Sequence, residues 1–525
     1  MAILSVGALT GSAILDIITV LTVCWTLWTI QTYRRLSHIP GPVSWGLSVL
    51  PLFRLHQDGE IYHGLSKMTE KYGPLVRIAP NTLLTSDTDV VRRMSAARSP
   101  YTRSDWYFAM RLVPGEDNVL SLLNDKEHDE RRRKMAAGYA GKENTTLERD
   151  LDECILDLCR LIDTRYAIGA TDEASQSKPM DLARKIQFLT SDIMSKVSFD
   201  AKFHDLRDDN DNFGYIHEIE TMFPKLFCTS CIPKVLQFCT NIGLMKMFAP
   251  TANARLGFGK ILAITREQVG KRFDAEKNVI VQKPDMLGSF LRHGLTRGEA
   301  EQESVMQLAA GSDTSATGMR GTLFCLISNP KAYTKLMAEI DAAVADGRIP
   351  SSLDMAIPDL VARELPYLQA CIKEGIRWHP PIAGMLTKKT PPEGDTINGY
   401  FVPGGVTISW SVKTIHHNPE LYGPDEHAYR PDRWIHTSAG GDERSVEKIA
   451  LMERNNDLIF GHGKYSCLGK PVAVIELNKV FVELLRRFEF SLMRPEDGWR
   501  GGKCFGIFIQ KDLWVTVRRR EVVKH

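Results

Sequence analysis

Helical spacing of apolar side chains dominates this chain. Most of the sequence between residues 150 and 290 shows it, and it returns between Val472 and Phe488. Residues 60–95 instead mix short helical patterns with strand-like ones at Pro74–Ile78 and Thr82–Ser86. The pattern therefore predicts a mainly α protein with small β-sheets.

The longest predicted helix starts at a capping box formed by Thr296 and Glu299, in which each side chain accepts a hydrogen bond from the other residue's backbone N–H. It can continue to Ser328, because Asn329-Pro330 ends the helical pattern there. At about 1.5 Å per residue this helix is roughly 50 Å long, which is enough to cross a whole domain. The segment Ala310–Thr314 in its middle contains poor helix formers, and such a local conflict is expected at functional sites.

The N-terminal stretch of residues 1–33 carries one charged side chain, Asp16, and is followed by Arg34 and Arg35. Seventeen uncharged residues run from Ile17 to Tyr33, near the lower limit for a membrane-spanning helix, and the uncharged stretch before Asp16 can extend it. A removable signal peptide is the alternative, but no charged region precedes the apolar run and no clear cleavage site follows it. We therefore predict a transmembrane anchor, and the Arg pair behind it places the rest of the chain in the cytosol.

Residues 34–43 contain Ile39-Pro-Gly-Pro42, which predicts a stiff hinge after the anchor. Residues 44–525 show no Gly/Ser-rich or Pro-rich linker and no internal repeat, and 43% of the whole chain is hydrophobic, so we predict one large domain. The formal net charge of +2 argues against a nucleic-acid partner held by bulk electrostatics. Ten cysteines spread over 525 residues do not make a disulfide framework.

The stretch Phe460–Gly469 reads FGHGKYSCLG and places Cys467 between Gly463 and Gly469. A thiolate on a glycine-flanked loop is what a haem iron needs as an axial ligand, and nearby N–H groups would keep it ionised. Gly463 can adopt backbone angles closed to other residues, and Gly469 lets the main chain pass close to the sulfur. The alternative is that Cys467 is a buried small apolar side chain, as most intracellular cysteines are.

The loop, including Phe460, resembles the haem-binding signature of the cytochrome P450 family. Three further motifs follow the order of that family, namely Ala310–Thr314, Glu374-Gly-Ile-Arg377 and Tyr429-Arg-Pro-Asp-Arg433-Trp434. The resemblance covers nearly the whole chain and is closest to the membrane-bound fungal enzymes of specialised metabolism. It implies the cytochrome P450 fold for a haem-thiolate catalytic domain over residues 44–525.

The cofactor implied by the resemblance is haem b. Cys467 would be the axial ligand of its iron, and Phe460, Gly463 and Gly469 would shape the loop that binds it. The other cysteines are interpreted as apolar packing, because Cys228-x-x-Cys231 lacks a second pair for a tetrahedral metal site.

In the long helix, the resemblance implies that Thr314 organises bound dioxygen and that Asp313 belongs to the proton route. The hydroxyl of Thr314 is expected to donate to the carbonyl of Ala310 and to open the helix into a groove. The alternative is a tolerated glycine with an acid–hydroxyl pair on the surface.

Glu374 and Arg377 lie three residues apart in a predicted helix, which normally indicates a surface ion pair. The resemblance implies instead that they form a buried network with Arg433 that supports the cysteine loop. Its role would be structural and not catalytic.

His128 and Arg132 lie on one helical face, and the resemblance implies that they bind the haem propionates. The alternative is an ordinary solvated basic run. The family pattern is broken twice, because Tyr465 stands where a basic residue is usual and Lys388 or Lys389 stands where an arginine is expected. Which residues make up for those contacts stays open.

The resemblance assigns the substrate pocket to apolar residues of the long helix, of the segment after Arg377 and of the C-terminal region: Met306, Ala309, Ala310, Ile382, Met385, Phe505 and Ile507. Such a set favours a lipophilic substrate, because it offers no fixed cation or carboxylate. Arg103, Arg111 or Asp117 in the preceding loop could intrude.

These features predict a haem-thiolate monooxygenase that inserts one oxygen atom from dioxygen into a lipophilic organic substrate, a secondary-metabolite intermediate. No Gly-x-Gly-x-x-Gly strand–turn–helix is present, so electrons would come from a separate NADPH-cytochrome P450 reductase. Lys464 and Lys470 beside the cysteine would offer that partner a basic surface. The predicted location is the endoplasmic reticulum membrane, with a single span and the catalytic domain facing the cytosol.

Two alternatives belong to other classes of function. A haem-thiolate isomerase or dehydratase would need no reductase, but the intact Asp313-Thr314 pair argues against it because that machinery serves dioxygen protonation. A helical membrane scaffold would need no Cys467.

Overall fold

The computed structural model describes residues 11–172, 178–249, 254–274, 279–280, 283–436, 445–497, 499 and 502–521. Helices make up most of this part of the chain, as the apolar spacing predicts. The α-helices are α1 (Gly11–Arg35), α2 (Val43–Leu47), α3 (Leu50–Asp58), α4 (Ile61–Tyr72), α5 (Thr88–Ser95), α6 (Asp125–Tyr139), α7 (Leu147–Arg165), α8 (Leu182–Phe199), α9 (Asp205–Asp208), α10 (Tyr215–Thr229), α11 (Pro233–Asn241), α12 (Gly257–Gly270), α13 (Met286–Arg292), α14 (Arg297–Ile327), α15 (Pro330–Ala345), α16 (Asp359–Arg363), α17 (Pro366–Trp378), α18 (Val412–His416), α19 (Pro419–Tyr422), α20 (Val446–Asn456) and α21 (Lys470–Leu485). Short 3-10 helices cover Asp105–Met110, Leu244–Phe248, Pro431–Trp434, Asp457–Phe460, Gly463–Tyr465 and Pro495–Asp497.

The strands are short and form small sheets, which confirms the second half of the predicted fold class. They are β1 (Leu75–Ala79), β2 (Thr82–Thr85), β3 (Thr102–Arg103), β4 (Met180–Asp181), β5 (Phe273–Asp274), β6 (Val279–Ile280), β7 (Lys388–Lys389), β8 (Asp395–Ile397), β9 (Tyr400–Val402), β10 (Thr407–Trp410), β11 (Phe488–Leu492), β12 (Lys503–Cys504), β13 (Phe508–Ile509) and β14 (Trp514–Arg519). The largest sheet has the order β1-β2-β10-β7-β3, and β10 runs parallel to β2 while the other neighbours are antiparallel. This sheet brings Arg103 and Lys388 into register, although they are far apart in sequence.

The long helix α14 is the centre of the packing. Its N-cap is Thr296, and the reciprocal hydrogen bonds with Glu299 confirm the predicted capping box. It packs against α8, α12, α17 and α21. The contact with α17 requires Gly375, because a Cβ there would lie 2.0 Å from the hydroxyl oxygen of Thr322. α14 therefore passes through the main hydrophobic core, and the elements that carry the predicted motifs lie around it.

The predicted N-terminal anchor is helical where the structure describes it, because α1 covers Gly11–Arg35. Its first ten residues lie outside the described residues. None of the helices in the described ranges is long and apolar enough to cross a membrane, so the predicted transmembrane helix is not supported.

The predicted hinge lies against the sheet. Leu36 and Ile39 are buried, and the carbonyl of Pro40 accepts a 2.7 Å hydrogen bond from the backbone N–H of Arg77 in β1. Gly41 is needed at this contact, because a Cβ there would lie 2.6 Å from the Arg77 carbonyl oxygen. The predicted domain boundaries at residues 33 and 43 stay a prediction.

Candidate functional site

The cysteine loop runs from the 3-10 turn that ends at Phe460 to the start of α21. The backbone N–H of Cys467 donates to the carbonyl of Phe460 at 2.7 Å, which closes the loop. Gly463 has a φ of +59°, and a Cβ there would lie 2.1 Å from the carbonyl oxygen of Ser95. Gly469 is the N-cap of α21, with Pro471 in its first turn as the sequence predicts. The loop thus holds the cysteine at the N-terminal end of a helix.

The side chain of Cys467 opens into a cavity of about 290 Å³. Its side chain is exposed there, unlike those of the core cysteines Cys154, Cys159, Cys325, Cys371 and Cys504. Burial of the sulfur raises the pKa of the thiol above its usual value, and the N–H groups of Gly469 and Lys470 and the charge of Arg132 oppose that shift. The loop therefore offers hydrogen bonds that stabilise a thiolate facing the cavity.

Across the cavity, α14 presents Thr314. Its hydroxyl donates to the carbonyl of Ala310 at 2.8 Å, as the sequence predicts. The helix stays continuous through this segment, so the bond does not interrupt it. Gly311 also lines the cavity, and a Cβ there would lie 2.6 Å from the side chain of Met194 on α8. A side chain at this position would therefore force Met194 to move.

Asp313 is buried but is not part of the cavity wall. Burial raises its pKa to about 6, the charge of Arg320 opposes that shift, and Glu220 adds to it. One oxygen of its carboxyl, Oδ2, has no hydrogen-bond partner in the described part of the chain. Its predicted place in the proton route stays a prediction.

The predicted support network is present and buried. Glu374 accepts hydrogen bonds from Nε and Nη2 of Arg377 at 2.7 and 2.8 Å and from Nε of Arg433 at 2.9 Å. Trp434, which stands where the family usually has Phe, donates its indole N–H to the same carboxylate at 2.9 Å. Burial raises the pKa of Glu374, but the neighbouring Arg charges outweigh it, and the pKa lies below its usual value.

A second contact ties this network to the cysteine loop. The side chain of Asn456 donates to the carbonyl of Lys373 in α17 at 3.1 Å. Asn456 directly precedes the 3-10 turn Asp457–Phe460, whose last carbonyl binds the N–H of Cys467. The network therefore fixes one end of the loop, which agrees with its predicted structural role.

One end of the cavity is lined by basic side chains. His128, Arg132, Arg103 and Lys388 all face it, and no carboxylate in the described ranges forms an ion pair with the last three. Arg132 donates to the carbonyl and the hydroxyl of Ser466 at 2.6 and 3.0 Å. His128 contacts Asp129 at 3.0 Å, and burial lowers its pKa to about 4.

The question left open between the two lysines is resolved by geometry. Lys388 is buried and lines the cavity, whereas Lys389 pairs with Asp105 at 2.9 Å and points elsewhere. Burial, followed by the charge of Arg103, lowers the pKa of Lys388 well below its usual value. A buried group of cations without carboxylate partners is suited to binding an anion.

Comparison with known proteins agrees with this geometry. The profile of the cytochrome P450 family matches residues 40–502. The chain belongs to the cytochrome P450 family. It is 39% identical over 492 residues to the cytochrome P450 monooxygenase ABA1 of Pyricularia oryzae, covering 93% of each chain. It is 33% identical over 494 residues to the cytochrome P450 monooxygenase aba1 of Botryotinia fuckeliana, covering 93% of this chain and 92% of that one. The cytochrome P450 monooxygenase abl1 of Leptosphaeria maculans is 30% identical over 469 residues, which is 88% of this chain and 79% of that protein. The predicted enzyme class, a cytochrome P450 monooxygenase, is therefore confirmed.

The cavity of this cytochrome P450 fits the haem that the family implies. Cys467 would supply a sulfur ligand, and Arg103, Arg132 and Lys388, which form no ion pair within the described ranges, would suit two carboxylate groups at the cavity's polar end. Phe460, Val472 and Ile376 are among the apolar residues of the wall. Bound there, a haem would supply oxygen activation, which thiolate ligation favours.

The predicted substrate pocket is found in part. Met306, Ala310 and Ile382 line the cavity. Ala309 is buried outside its wall, because a helix turns by about 100° per residue and Ala309 falls about 60° beyond Met306 on the far side from Ala310. Met385 is likewise buried and absent from the wall.

The two C-terminal members of the predicted pocket lie one layer away. Ile507 is buried and forms a β-bridge with Ile382. Phe505 lines a separate and more open groove of about 980 Å³. Although this groove is larger, it contains neither Cys467 nor Thr314, so we assign the site to the smaller cavity.

Sequence reasoning missed several polar residues of the cavity wall. They are Glu303, Gln307, Ser315 and Glu476, together with Arg103 in the role of a cofactor-facing cation. The sequence held no clear signal for either acid. α21 also contains Asn478, Lys479 and Glu483, and the 2.7 Å contact of Glu303 with Arg131 joins two distant helices.

Proposed function

We propose that this cytochrome P450 inserts one oxygen atom from dioxygen into a lipophilic organic substrate that is an intermediate of fungal secondary metabolism. The observation that carries the proposal is that Cys467 and Thr314 face one cavity. The names of the relatives, all cytochrome P450 monooxygenases, support the reaction class.

The chain's own residues have separate tasks in this proposal. Cys467 would be the sulfur ligand of the haem iron, and Arg103, Arg132 and Lys388 would bind the propionates. Thr314 keeps its hydroxyl at the oxygen-binding side, where it can direct a proton. The apolar side chains of Met306, Ala310 and Ile382 exclude water and bury the substrate.

The electron source in the proposal is a separate NADPH-cytochrome P450 reductase. The alternative function, a haem-thiolate isomerase or dehydratase, would need no reductase. The Asp313-Thr314 pair favours the monooxygenase, because in the family that pair serves the protonation of dioxygen.

The decisive experiment combines a spectrum with an isotope label. Reduced protein with bound carbon monoxide should show the long-wavelength Soret band of thiolate ligation, and Cys467→Ser should lose it while Cys239→Ser keeps it. Turnover under ¹⁸O₂ with reductase and NADPH should place one labelled atom in the product. Product formation without reductase, and without label, would establish the alternative instead.

We further propose that the catalytic domain lies on the cytosolic side of the endoplasmic reticulum membrane. The support is the Arg34-Arg35 pair behind the apolar N-terminal segment. Protease added to intact microsomes should digest the domain if this is right, and protection from protease would contradict it. The nominal glycosylation site at Asn144 is a poor reporter, because its side chain is 2% exposed.

A further inference from the structure

Two histidine rings meet on the side of the molecule opposite to none of the motifs above, directly beside α18. His417 is the C-cap of α18, and His427 lies in the loop that leads to the 3-10 helix Pro431–Trp434. Their Nδ1 atoms are 3.2 Å apart, and the two ring planes are tilted by 40°. His427 is exposed and His417 is half-buried, so the pair is open to solvent on one side.

A third lone-pair atom lies at the same place. The carbonyl oxygen of Glu426 is 3.1 Å from Nδ1 of His417. A carbonyl oxygen only accepts, and a neutral imidazole has one N–H and one nitrogen lone pair. Both contacts are satisfied together only if a single proton on Nδ1 of His417 is shared between the Glu426 carbonyl and His427. A metal ion at this place would accept a lone pair from each of the three atoms.

The other nitrogen of each ring has a partner of its own. Nε2 of His427 lies 3.4 Å from the carboxylate oxygen Oε1 of Glu426, and Nε2 of His417 lies 3.3 Å from the hydroxyl of Tyr62. A proton held on Nε2 leaves the lone pair on Nδ1. A carboxylate behind the ring in this way is typical of histidines that bind metals.

The distances fit a small divalent ion. Tetrahedral zinc with bonds of 2.0–2.2 Å to nitrogen and oxygen has its ligands about 3.4 Å apart. The 3.2 and 3.1 Å contacts reach that spacing after shifts of a few tenths of an ångström. No group of three His, Cys, Asp or Glu side chains in the described ranges is placed to hold a metal, so this site would use two side chains and a carbonyl. Imidazole ligands suit zinc, copper and nickel.

The charges around the pair act in both directions. Burial, followed by the charge of Arg377, lowers the pKa of His417 to about 2, and the same charge opposes a bound cation. Glu374 offsets it, because its carboxylate accepts from Arg377 at 2.7 and 2.8 Å. The carboxylate of Glu426 adds a negative charge beside His427.

We propose that His417, His427 and the carbonyl of Glu426 bind one divalent transition-metal ion of the class that prefers imidazole, such as Zn²⁺. The ion joins α18 to the loop that carries His427. The Glu426 carbonyl also accepts a 2.8 Å hydrogen bond from Arg377, so the bound ion stabilises a segment that holds the network below the cysteine loop. An ion that binds the native state alone raises the thermal midpoint of unfolding.

The test uses the full-length, haem-loaded protein and Zn²⁺ alone as the probe. Calorimetric titration at pH 8 compares the wild type with His427→Ala, a change at an exposed residue that the fold tolerates. The matched control is His293→Ala, which removes another exposed histidine that contacts a glutamate, Glu143, at 2.8 Å. Repeating the titration in buffers with different protonation enthalpies counts the protons released. Imidazoles release none above their usual pKa of about 6.5, whereas thiols such as Cys228 and Cys231 must lose theirs.

We expect the tightest site of the wild type to take one Zn²⁺ without releasing protons. Affinity should fall at least about tenfold in His427→Ala, because even the loss of a partner behind a ligand costs that much. Glu426→Gln keeps the carbonyl but removes the carboxylate behind His427, so it should also bind about tenfold more weakly. His293→Ala should bind like the wild type. Zn²⁺ should raise the temperature at which the thiolate Soret band is lost in the wild type but not in His427→Ala.

Three results would overturn the inference. They are a wild type that binds no Zn²⁺, equal affinity in the wild type and His427→Ala, and binding that releases protons from thiols. Each of them is independent of turnover, so none depends on the reaction assigned under the proposed function.

Discussion

The ammonium group of Lys388 lies 3.3 Å from the centroid of the Tyr465 ring. Tyr465 occupies the position two residues before Cys467, where the family usually has a base. The guanidinium of Arg103 lies 4.9 Å from the same ring, and the phenol donates to Asp125 at 2.5 Å. The negative face of the ring attracts cations. The Tyr465 ring therefore contacts two basic side chains, Arg103 and Lys388, from other segments, at the position where the family usually has a basic residue.

This arrangement predicts that Lys388 contributes to haem retention. Lys388→Met should weaken haem binding by about 2 kcal/mol, the value of a hydrogen bond to a charged group, while Lys388→Arg should retain it. The measurement is the rate of haem transfer to an apo-haem acceptor protein. Lys389→Met is the control, because Lys389 pairs with Asp105 away from the cavity. Equal rates for the two methionine variants would contradict the assignment.

Thr314→Ala should keep haem and reductase-driven dioxygen consumption but divert electrons to peroxide. The reason is that the hydroxyl bonded to the Ala310 carbonyl is the group positioned to direct protons at the oxygen-binding side. Peroxide and product are measured against dioxygen consumed. Thr314→Ser keeps the hydroxyl and should remain largely coupled. If the alanine variant is as coupled as the wild type, the role of Thr314 is wrong.

Glu374→Gln should destabilise the fold by about 3–5 kcal/mol, because it leaves Arg377 and Arg433 buried without their counter-charge. The free energy of unfolding is measured by denaturant titration, together with the fraction of protein that retains the thiolate Soret band. Glu453→Gln is a matched control next to the same helix. Its partially exposed pair with Lys373 should contribute less than about 1 kcal/mol. Similar losses in both variants would show that the network has no special role.

Electron transfer from the reductase should slow only slightly at high salt, because the two lysines that flank the cysteine are already paired with aspartates. Lys464 and Lys470 flank the cysteine, but Lys464 pairs with Asp125 at 2.5 Å and Lys470 with Asp457 at 3.0 Å. Asp457→Asn frees Lys470, so reduction by the reductase should be faster at low salt and fall more steeply as salt shortens the Debye length. Asp341→Asn removes a distant carboxylate and controls for net charge. If the reduction rate of Asp457→Asn depends on salt in the same way as that of Asp341→Asn, Lys470 does not attract the reductase electrostatically.

Much of the scaffold was predictable because its signals are local. The capping box of α14, the proline in the first turn of α21 and the i,i+3 spacing of Glu374 and Arg377 each involve residues within four positions of one another. Local hydrogen bonds and helical periodicity decide such features. Trp434 is an example of what local reasoning leaves open, because its bond to Glu374 joins two distant segments.

The cavity wall was predicted less well. Ala309 was expected there and is turned away, while Glu476 was not expected and lines the cavity. A helical pattern shows which residues share a face, but it does not show which neighbour covers that face. The transmembrane helix is a related case. The charge-poor N-terminal stretch predicted a membrane span, but none of the helices in the described ranges is long and apolar enough to cross a membrane.

The sequence by itself determined the helical architecture, the thiolate loop and the motifs that identify the family, since these depend on residue types at short and fixed spacings. Only the tertiary structure decided which basic and which acidic side chains line the cavity. Arg103, Lys388 and Tyr465 meet because β3 pairs with β7 and the loop before α21 packs over them. Contacts of that kind are set by how whole elements pack, and the free energy that selects them is spread over the entire core.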